Sequence, residues 1–368
     1  MLTAYQLDLL PAPMVDLWDE FTQSVLNDIA RRLSKLDMTE TAAWQTQRLT
    51  ESGMVYEDIL EQLSQMTGKS ETLLRSLFRQ AGVKSMRFDD SVYRMAGLNP
   101  LPLNLSPAMV STLAAGLSKT QGVMRNLTRT TAMTGQEAFV QAADVAYMQV
   151  STGTMSYDQA IRAAVKNVAS QGINVIDYAS GRRDQIDVAM RRTVLTGVAQ
   201  TTGGLQTSRM DEMGVDLVQT SAHAGARPTH EVWQGKIFSR SGTNPNYPDF
   251  VNETGYGEVD GLIGINCRHS FYPFFEGISE NAYSEETVDE MNEQTVNLEG
   301  EKVPQYEASQ IQRGIERHIR DWKRQSGALE AAGLDNAVEI AKVKEWQSRM
   351  RDFIRQTKLQ RQRIREQI

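Results

Sequence analysis

The sequence predicts a mainly α-helical protein, with extended helical N-terminal and middle regions, a small loop-rich α+β module near 214–276 and a helical C-terminal tail. Three observations carry that expectation. Apolar residues step by three or four through most of the chain, the period of a helix with one buried face. The stretch LNPLPLNLSP at 98–107 holds three prolines, and proline lacks an amide donor and restricts its predecessor. Glycine, proline, asparagine and aromatics crowd together between 214 and 276, a composition that favours turns over helices.

The elements follow in order. Met14, Trp18, Phe21, Val25, Ile29 and Leu33 form a single apolar stripe, the mark of a helix packed on one side. Asp37 and Glu40 have capping-box spacing ahead of TAAWQTQRLT. Two further helices are expected at 55–66 and 70–81, the second with Ser70 as N-cap. The proline-rich stretch 98–107 then reads as a hinge closing an N-terminal helical domain, 1–97. A middle helical region, 108–213, is expected to hold helices at 108–125, 135–150, 157–170 and 184–201. Between the last two, GINVIDYASG has the β-branched content of a short extended piece. GVDLVQTSA opens the 214–276 module as a strand. The charged helical region 277–368 follows. Residues 276–301 carry nine acidic side chains and no lysine or arginine, whereas Lys342–Arg365 carries nine basic residues against two acidic ones. Ile340, Val343, Trp346, Met350 and Phe353 give this last segment the stripe of a short coiled-coil or docking helix.

Composition narrows the function classes. The chain has 368 residues, 40% hydrophobic and 23% charged, enough apolar material for two or three folded domains. A formal charge of −7 argues against a protein that is a nucleic-acid binder over its whole surface. One cysteine leaves no internal disulfide framework. No N-terminal secretory pattern is expected, and no stretch approaches the roughly 18–20 apolar residues of a membrane helix. A soluble product is the expectation.

Chemistry-bearing residues concentrate in the module. His223 and His230 lie in SAHAGARPTHEVWQGKIFSRSG, and Cys267 and His269 in GINCRHSFYP, so three of the four histidines and the lone cysteine share one turn-rich segment. Nitrogen and sulfur donors of this kind suit zinc, and a loop-rich module benefits from a staple. Against a metal, neither H-x6-H nor C-x-H is a standard zinc spacing. An enzyme would use Cys267 as nucleophile with a histidine base, or a histidine with Asp249 or Asp260. No third group is fixed by the pattern, and neither a glycine-rich phosphate cradle nor H-E-x-x-H is present. The preferred reading is structural, with no catalytic residue and no cofactor. Arg227 would tie loops through planar hydrogen bonds to carbonyls, Asp249 or Asp260. Trp233, Tyr256, Phe271, Tyr272, Phe274 and Phe275 would supply apolar mass, and Gly235, Gly255, Gly257, Gly261 and Gly264 would permit positive φ.

Across these residues the chain resembles a known family. AHAGARPTHEVWQGKIFS, then YPDF, TGYG and DGLIGINCRHSFYPFFEGIS, are similar to the phage minor capsid protein 2 family. The order of Arg227, Trp233 and Gly235, then Asn266, Cys267, Arg268 and His269, is similar to the Mu F-like head-morphogenesis domain. The close match covers about 170–280 and weakens into the N-terminal half. The resemblance implies a minor head protein of a tailed bacteriophage, present in few copies at the portal vertex and capsid interior of the virion, and in the host cytoplasm during assembly. It would assist head assembly and DNA packaging or ejection. Its implied partners are the portal protein and the major capsid protein or a scaffold, with no membrane. The basic C-terminal helix would meet packaged double-stranded DNA, or else be a solvated face balanced by the acidic 276–301 stretch. The rival class is a metal-dependent or thiol enzyme packaged in the virion and acting during entry.

Overall fold

A computed structural model describes residues 3–38, 41–176, 181 and 183–368. Helices α1 (Ala4–Leu9), α2 (Ala12–Leu33) and α3 (Thr41–Met95) precede a 3-10 turn at Leu103–Leu105. Helices α4 (Pro107–Arg129), α5 (Thr131–Ser151) and α6 (Tyr157–Gln171) follow, then strands β1 (Asn174–Ile176) and β2 (Arg183–Gln185) and helix α7 (Ile186–Met213). The module holds β3 (Leu217–Thr220), α8 (Pro228–Glu231), β4 (Ile237–Ser239), α9 (Phe250–Thr254) and β5 (Phe271–Pro273). After it come α10 (Glu285–Asn292), β6 (Thr295–Leu298), β7 (Glu301–Pro304), α11 (Gln305–Ala331) and α12 (Ala337–Thr357). The architecture is mainly helical, as the sequence predicts.

Helix α3 departs from the expectation of separate helices at 55–66 and 70–81: it runs unbroken for 55 residues. Gly53, Gly68 and Gly82 lie within it. A helical glycine costs about 1 kcal/mol against alanine without forcing a break, and residues 41–95 contain no proline. Ser70 is therefore no N-cap but a buried mid-helix residue. The capping pair Asp37 and Glu40 reaches outside the described residues, as does the 177–180 part of the extended piece. Helix α3 ends where expected: Gly97 takes φ 78° and Leu98 N–H donates to the Tyr93 carbonyl at 2.9 Å, a left-handed C-terminal cap. Pro107 then opens α4, a first-turn position where its missing donor costs nothing.

The chain forms two compact units. The first comprises Met1–Pro13, Glu71–Gly122 and Arg191–Gln310. In it, α4 and α7 cross closely. A Cβ on Gly116 would lie 2.0 Å from Thr201 Oγ1, and one on Gly197 would lie 2.2 Å from Thr120 Oγ1. Thr112 and Ser208 hydroxyls share a hydrogen bond at 3.0 Å. The pairs run in opposite chain directions, so the two segments are antiparallel, with glycine facing threonine at two of the three steps. Strands β4, β3 and β5 form an antiparallel sheet with β3 central. Val218 pairs with Phe238 on one side and Pro273 on the other. Every residue of β3 is buried, and the core beneath includes Tyr93, Met210, Trp233, Phe238, Phe250, Leu262 and Phe271. The acidic stretch contains a hairpin, β6 paired with β7, where the sequence suggested only helix. Glu299 and Gly300 take φ 54° and 90° at its turn, the conformation a two-residue type I′ turn demands.

The second unit comprises Met14–Ser70, Val123–Met190 and Ile311–Ile368. The stripe Met14, Trp18, Phe21, Val25, Ile29 and Leu33 is wholly buried, at 4% exposure or less. Helices α5 and α6 pack together, and both bury small residues, among them Ala142, Ala143 and Ala146 on α5 and Ala160 and Ala164 on α6. Ser156 and Gln159 form a capping box at the start of α6. Of the C-terminal stripe, Met350 and Phe353 are buried, Trp346 stacks on His318 at 4.0 Å, and Ile340 is exposed.

One ionisable group in this unit makes stability depend on pH. Asp19 is buried. Burial, and then the neighbouring Asp187, push its carboxyl up to about 8, although Arg320 and Arg324 oppose the shift. The folded chain keeps a proton that the unfolded chain releases near pH 4. Its contribution to stability is thus full in acid and is lost as pH rises from about 4 towards about 8. Asp19→Asn is expected to flatten the decline of Tm over that window, measured by thermal denaturation in a pH series.

Candidate functional site

The site is built on three segments of the first unit. After β3 the chain turns through Ser221–Arg227 into α8, which carries His230. Trp233, Gln234 and Gly235 follow in the turn before β4. The loop from Gly261 to Ser270, before β5, carries Cys267 and His269. Cys267 and His269 are two residues apart in an irregular stretch, and the spacing that looked unfavourable for a metal brings both side chains to one side.

Of the four sequence-predicted ligands, His230, Cys267 and His269 come together, all buried, with ligand atoms within 4.8 Å of one another. Cys267 Sγ lies 3.8 Å from His230 Nδ1 and 3.7 Å from His269 Nδ1, and the two Nδ1 atoms are 3.4 Å apart. His223 is beside this set, its ring stacked on His269 at 4.3 Å. Its Nδ1 lies 3.0 Å from the Ala224 carbonyl, which fixes that nitrogen as the donor. The opposite nitrogen, Nε2, is buried and has no hydrogen-bond partner among the described residues.

The partners of the far ring nitrogens decide the tautomers. His230 Nε2 is 2.7 Å from the Asp260 carbonyl, an acceptor only, so Nε2 carries the proton. His269 Nε2 is 3.0 Å from Gln234 Oε1. That amide oxygen is identified by a second donor, the His223 backbone N–H at 3.0 Å, and by Gln234 Nε2 donating to Asn292 Oδ1 at 2.6 Å. Both Nδ1 atoms therefore present lone pairs towards each other and towards Cys267. Burial holds the His223, His230 and His269 rings below the usual imidazole range, His269 most strongly. Burial also pushes the Cys267 thiol up, although its sulfur accepts the His269 N–H at 3.4 Å.

The surrounding residues have specific partners, and Asp249 is not that of Arg227. Trp233 packs on His230 and His269 at 4.7 and 4.8 Å between ring centroids. Arg227 donates to the Ile265 carbonyl at 3.2 Å. Asp249 caps α9 by accepting the Asn252 N–H at 2.7 Å. Arg268 lies 3.1 Å from Asp8, which also meets Arg191 at 3.2 Å. Gly235, Gly255 and Gly257 take positive φ as expected. Gly261 and Gly264 do not. The left-handed positions in that loop are Ile263 and Asn266, at φ 56° and 57°. Gly261 and Gly264 are required by close approach: added Cβ atoms would lie 1.9 Å from the Gly255 oxygen and 2.5 Å from the Val259 oxygen.

Gln234 and the Asp260 backbone are the functional groups the sequence did not single out for a role. Gln234 stood in the W-Q-G-K turn of the resemblance, and a polar side chain between two aromatic-rich stretches was the available signal. Gln219 in β3 is similar. Fully buried, it donates to the Gly235 carbonyl at 3.0 Å and accepts from the Tyr272 hydroxyl at 2.9 Å. Such a polar network is stable only when each member is satisfied.

Comparison with known proteins agrees with the resemblance. The model of the family described as phage minor capsid protein 2 matches residues 2–355. A "Structural protein" of Lactococcus phage LL-H is 22% identical over 344 residues, covering 89% of each chain. A "Structural protein" of Lactococcus phage mv4 is 34% identical over 128 residues, which is 34% of this chain and 94% of that protein. No solved structure matches. With a match spanning nearly its whole length, the chain belongs to the phage minor capsid protein 2 family.

Proposed function

We propose that this phage structural protein is a minor head component located at the portal vertex and capsid interior, where it assists head assembly and DNA packaging or ejection without catalysing a reaction. The family match over residues 2–355 carries the reading, and the general role as a phage structural protein follows from it. The absence of turnover is argued from the site. A thiol nucleophile needs a depressed pKa and access, whereas the Cys267 thiol is buried and pushed up. The histidine nitrogens that a base would use face one another inside the fold.

The partners we propose are the portal protein and the major capsid protein or a scaffold. Packaged DNA is the partner proposed for the basic C-terminal segment, through phosphate contacts that weaken with salt. Part of that charge is already engaged: Lys342 and Arg349 pair with Glu345, Arg361 with Glu366 and Arg355 with Asp352. DNA contact through this segment is therefore expected to be weak and sequence-indifferent.

Quantitative mass spectrometry of purified particles tests the placement. The chain is expected at a small fraction of the abundance of the major capsid protein. Its absence from mature particles would make it instead an assembly factor that leaves the head.

A further inference from the structure

We propose that His230, Cys267 and His269 form a zinc site that staples the α8 segment to the 261–270 loop. The inference is independent of where the protein sits in the virion.

The first argument is geometric. With Zn–N of about 2.0–2.1 Å and Zn–S of about 2.3 Å, tetrahedral ligation places two nitrogens about 3.3–3.4 Å apart and a nitrogen and sulfur about 3.6 Å apart. The observed separations are 3.4 Å between the Nδ1 atoms and 3.7 and 3.8 Å from each to Sγ. These atoms already stand close to three corners of a zinc tetrahedron.

The second argument is electronic. Both Nδ1 atoms are unprotonated, because Asp260 and Gln234 each demand the proton on Nε2. Two imidazole lone pairs aimed at each other across 3.4 Å repel unless a shared cation lies between them. The thiol proton can satisfy one nitrogen and not both. A divalent cation satisfies both nitrogens and the sulfur at once.

The third argument is the supporting shell. Zinc-bound histidines commonly donate their second N–H to a carbonyl or carboxylate, which fixes ring orientation. Here His230 donates to a backbone carbonyl and His269 to a buried amide oxygen. The His269 backbone N–H directed at Sγ at 3.4 Å is suited to a thiolate. On binding, the Cys267 thiol releases its proton to solvent, and the sulfur pair forms the Zn–S bond. Because the ligands are buried, metal enters as the module folds. His223 is outside the three-ligand set, its ring stacked on His269.

The test uses the full chain, refolded with zinc or with a chelator, then freed of loose metal and analysed by mass spectrometry for metal content. About one zinc per chain is expected, with a lower Tm for the chelated sample that added zinc restores. Cobalt in place of zinc is expected to give a thiolate-to-cobalt charge-transfer band. Cys267→Ser, nearly the same size, removes that band. His230→Ala and His269→Ala lose the metal. His318→Ala, in the other unit, keeps both metal and band, whereas His223→Ala, which removes a ring stacked on a ligand, weakens binding without abolishing the band. Trace metal only, no cobalt band and an unchanged Tm in folded wild-type protein would overturn the proposal. Loss of metal in His223→Ala as complete as in His230→Ala would overturn the three-ligand set.

Discussion

An Arg209→Ala variant is expected to lose about 1–3 kcal/mol of stability, the cost of emptying a buried guanidinium site and leaving its hydrogen-bonding partners unsatisfied. Arg209 is 0% exposed. Its guanidinium meets Asp90 at 3.3 Å and Glu212 at 3.0 Å, and donates to the Leu101 carbonyl. It thus joins α3, the proline-rich segment and α7. Asp89 lies next to this group, fully buried and pushed up to about 7 mainly by burial, with Gln206 donating to it at 3.0 Å. Removing the arginine strips Asp90 and Glu212 of their shared partner and takes away a charge that lowers the Asp89 pKa. Denaturant unfolding checks the prediction through the midpoint of the transition. Arg209→Lys is expected to recover only part of the loss, since a single ammonium cannot reproduce the planar set of donors.

Gly261→Ala is expected to cost about 3 kcal/mol, at the upper end for an overpacked site. The added methyl would lie 1.9 Å from the Gly255 carbonyl oxygen. The obstacle is backbone, so no rotamer change relieves it. Gly255 itself sits at φ 59° as the C-terminal cap of α9, which leaves little freedom to retreat. Because Gly261 opens the loop that delivers Cys267 and His269, the same variant is expected to disturb the histidine–cysteine cluster. Gly257→Ala is the informative comparison: an added Cβ there meets nothing within 4 Å. Its cost comes from its φ of 94° alone. Thermal and denaturant unfolding of the two variants separate the clash from the conformational term.

The helical fold was legible because its strongest signals are periodic and local. The stripe from Met14 to Leu33 is buried residue by residue, and the prolines at 100, 102 and 107 end one helix and begin another. What failed did so for identifiable reasons. The gap between 66 and 70, with Ser70 as N-cap, reads as a helix boundary, but the residues on both sides are good helix formers and their packing outweighs a cost of about 1 kcal/mol for Gly68. The β6–β7 hairpin was hidden by its acidic composition, although Thr295–Pro304 alternates and turns at Glu299–Gly300. The α4–α7 crossing depends on Gly116 facing Thr201 and Gly197 facing Thr120, a register between distant segments that no local pattern encodes.

The candidate site was legible as a concentration of residue types and not as an arrangement. Three of the four named ligands meet, whereas His223 stacks beside them. Spacing statistics counted against H-x6-H and C-x-H because they describe zinc ligands presented by regular motifs. Here an irregular loop and a four-residue helix present them. The tautomers depend on one backbone carbonyl and on Gln234, and neither carries a sequence signal of its own. The five glycines of the module were read as one class, although three serve backbone conformation and two serve close approach.

We propose above all that this chain is a built-in part of the phage head at the portal vertex. Reconstruction of that vertex in intact particles, without imposing the symmetry of the whole shell, tests it most directly. The account predicts protein density beside the portal, on its capsid-interior side, into which the two units fit. A well-resolved vertex whose density is fully assigned to portal and major capsid protein would contradict it.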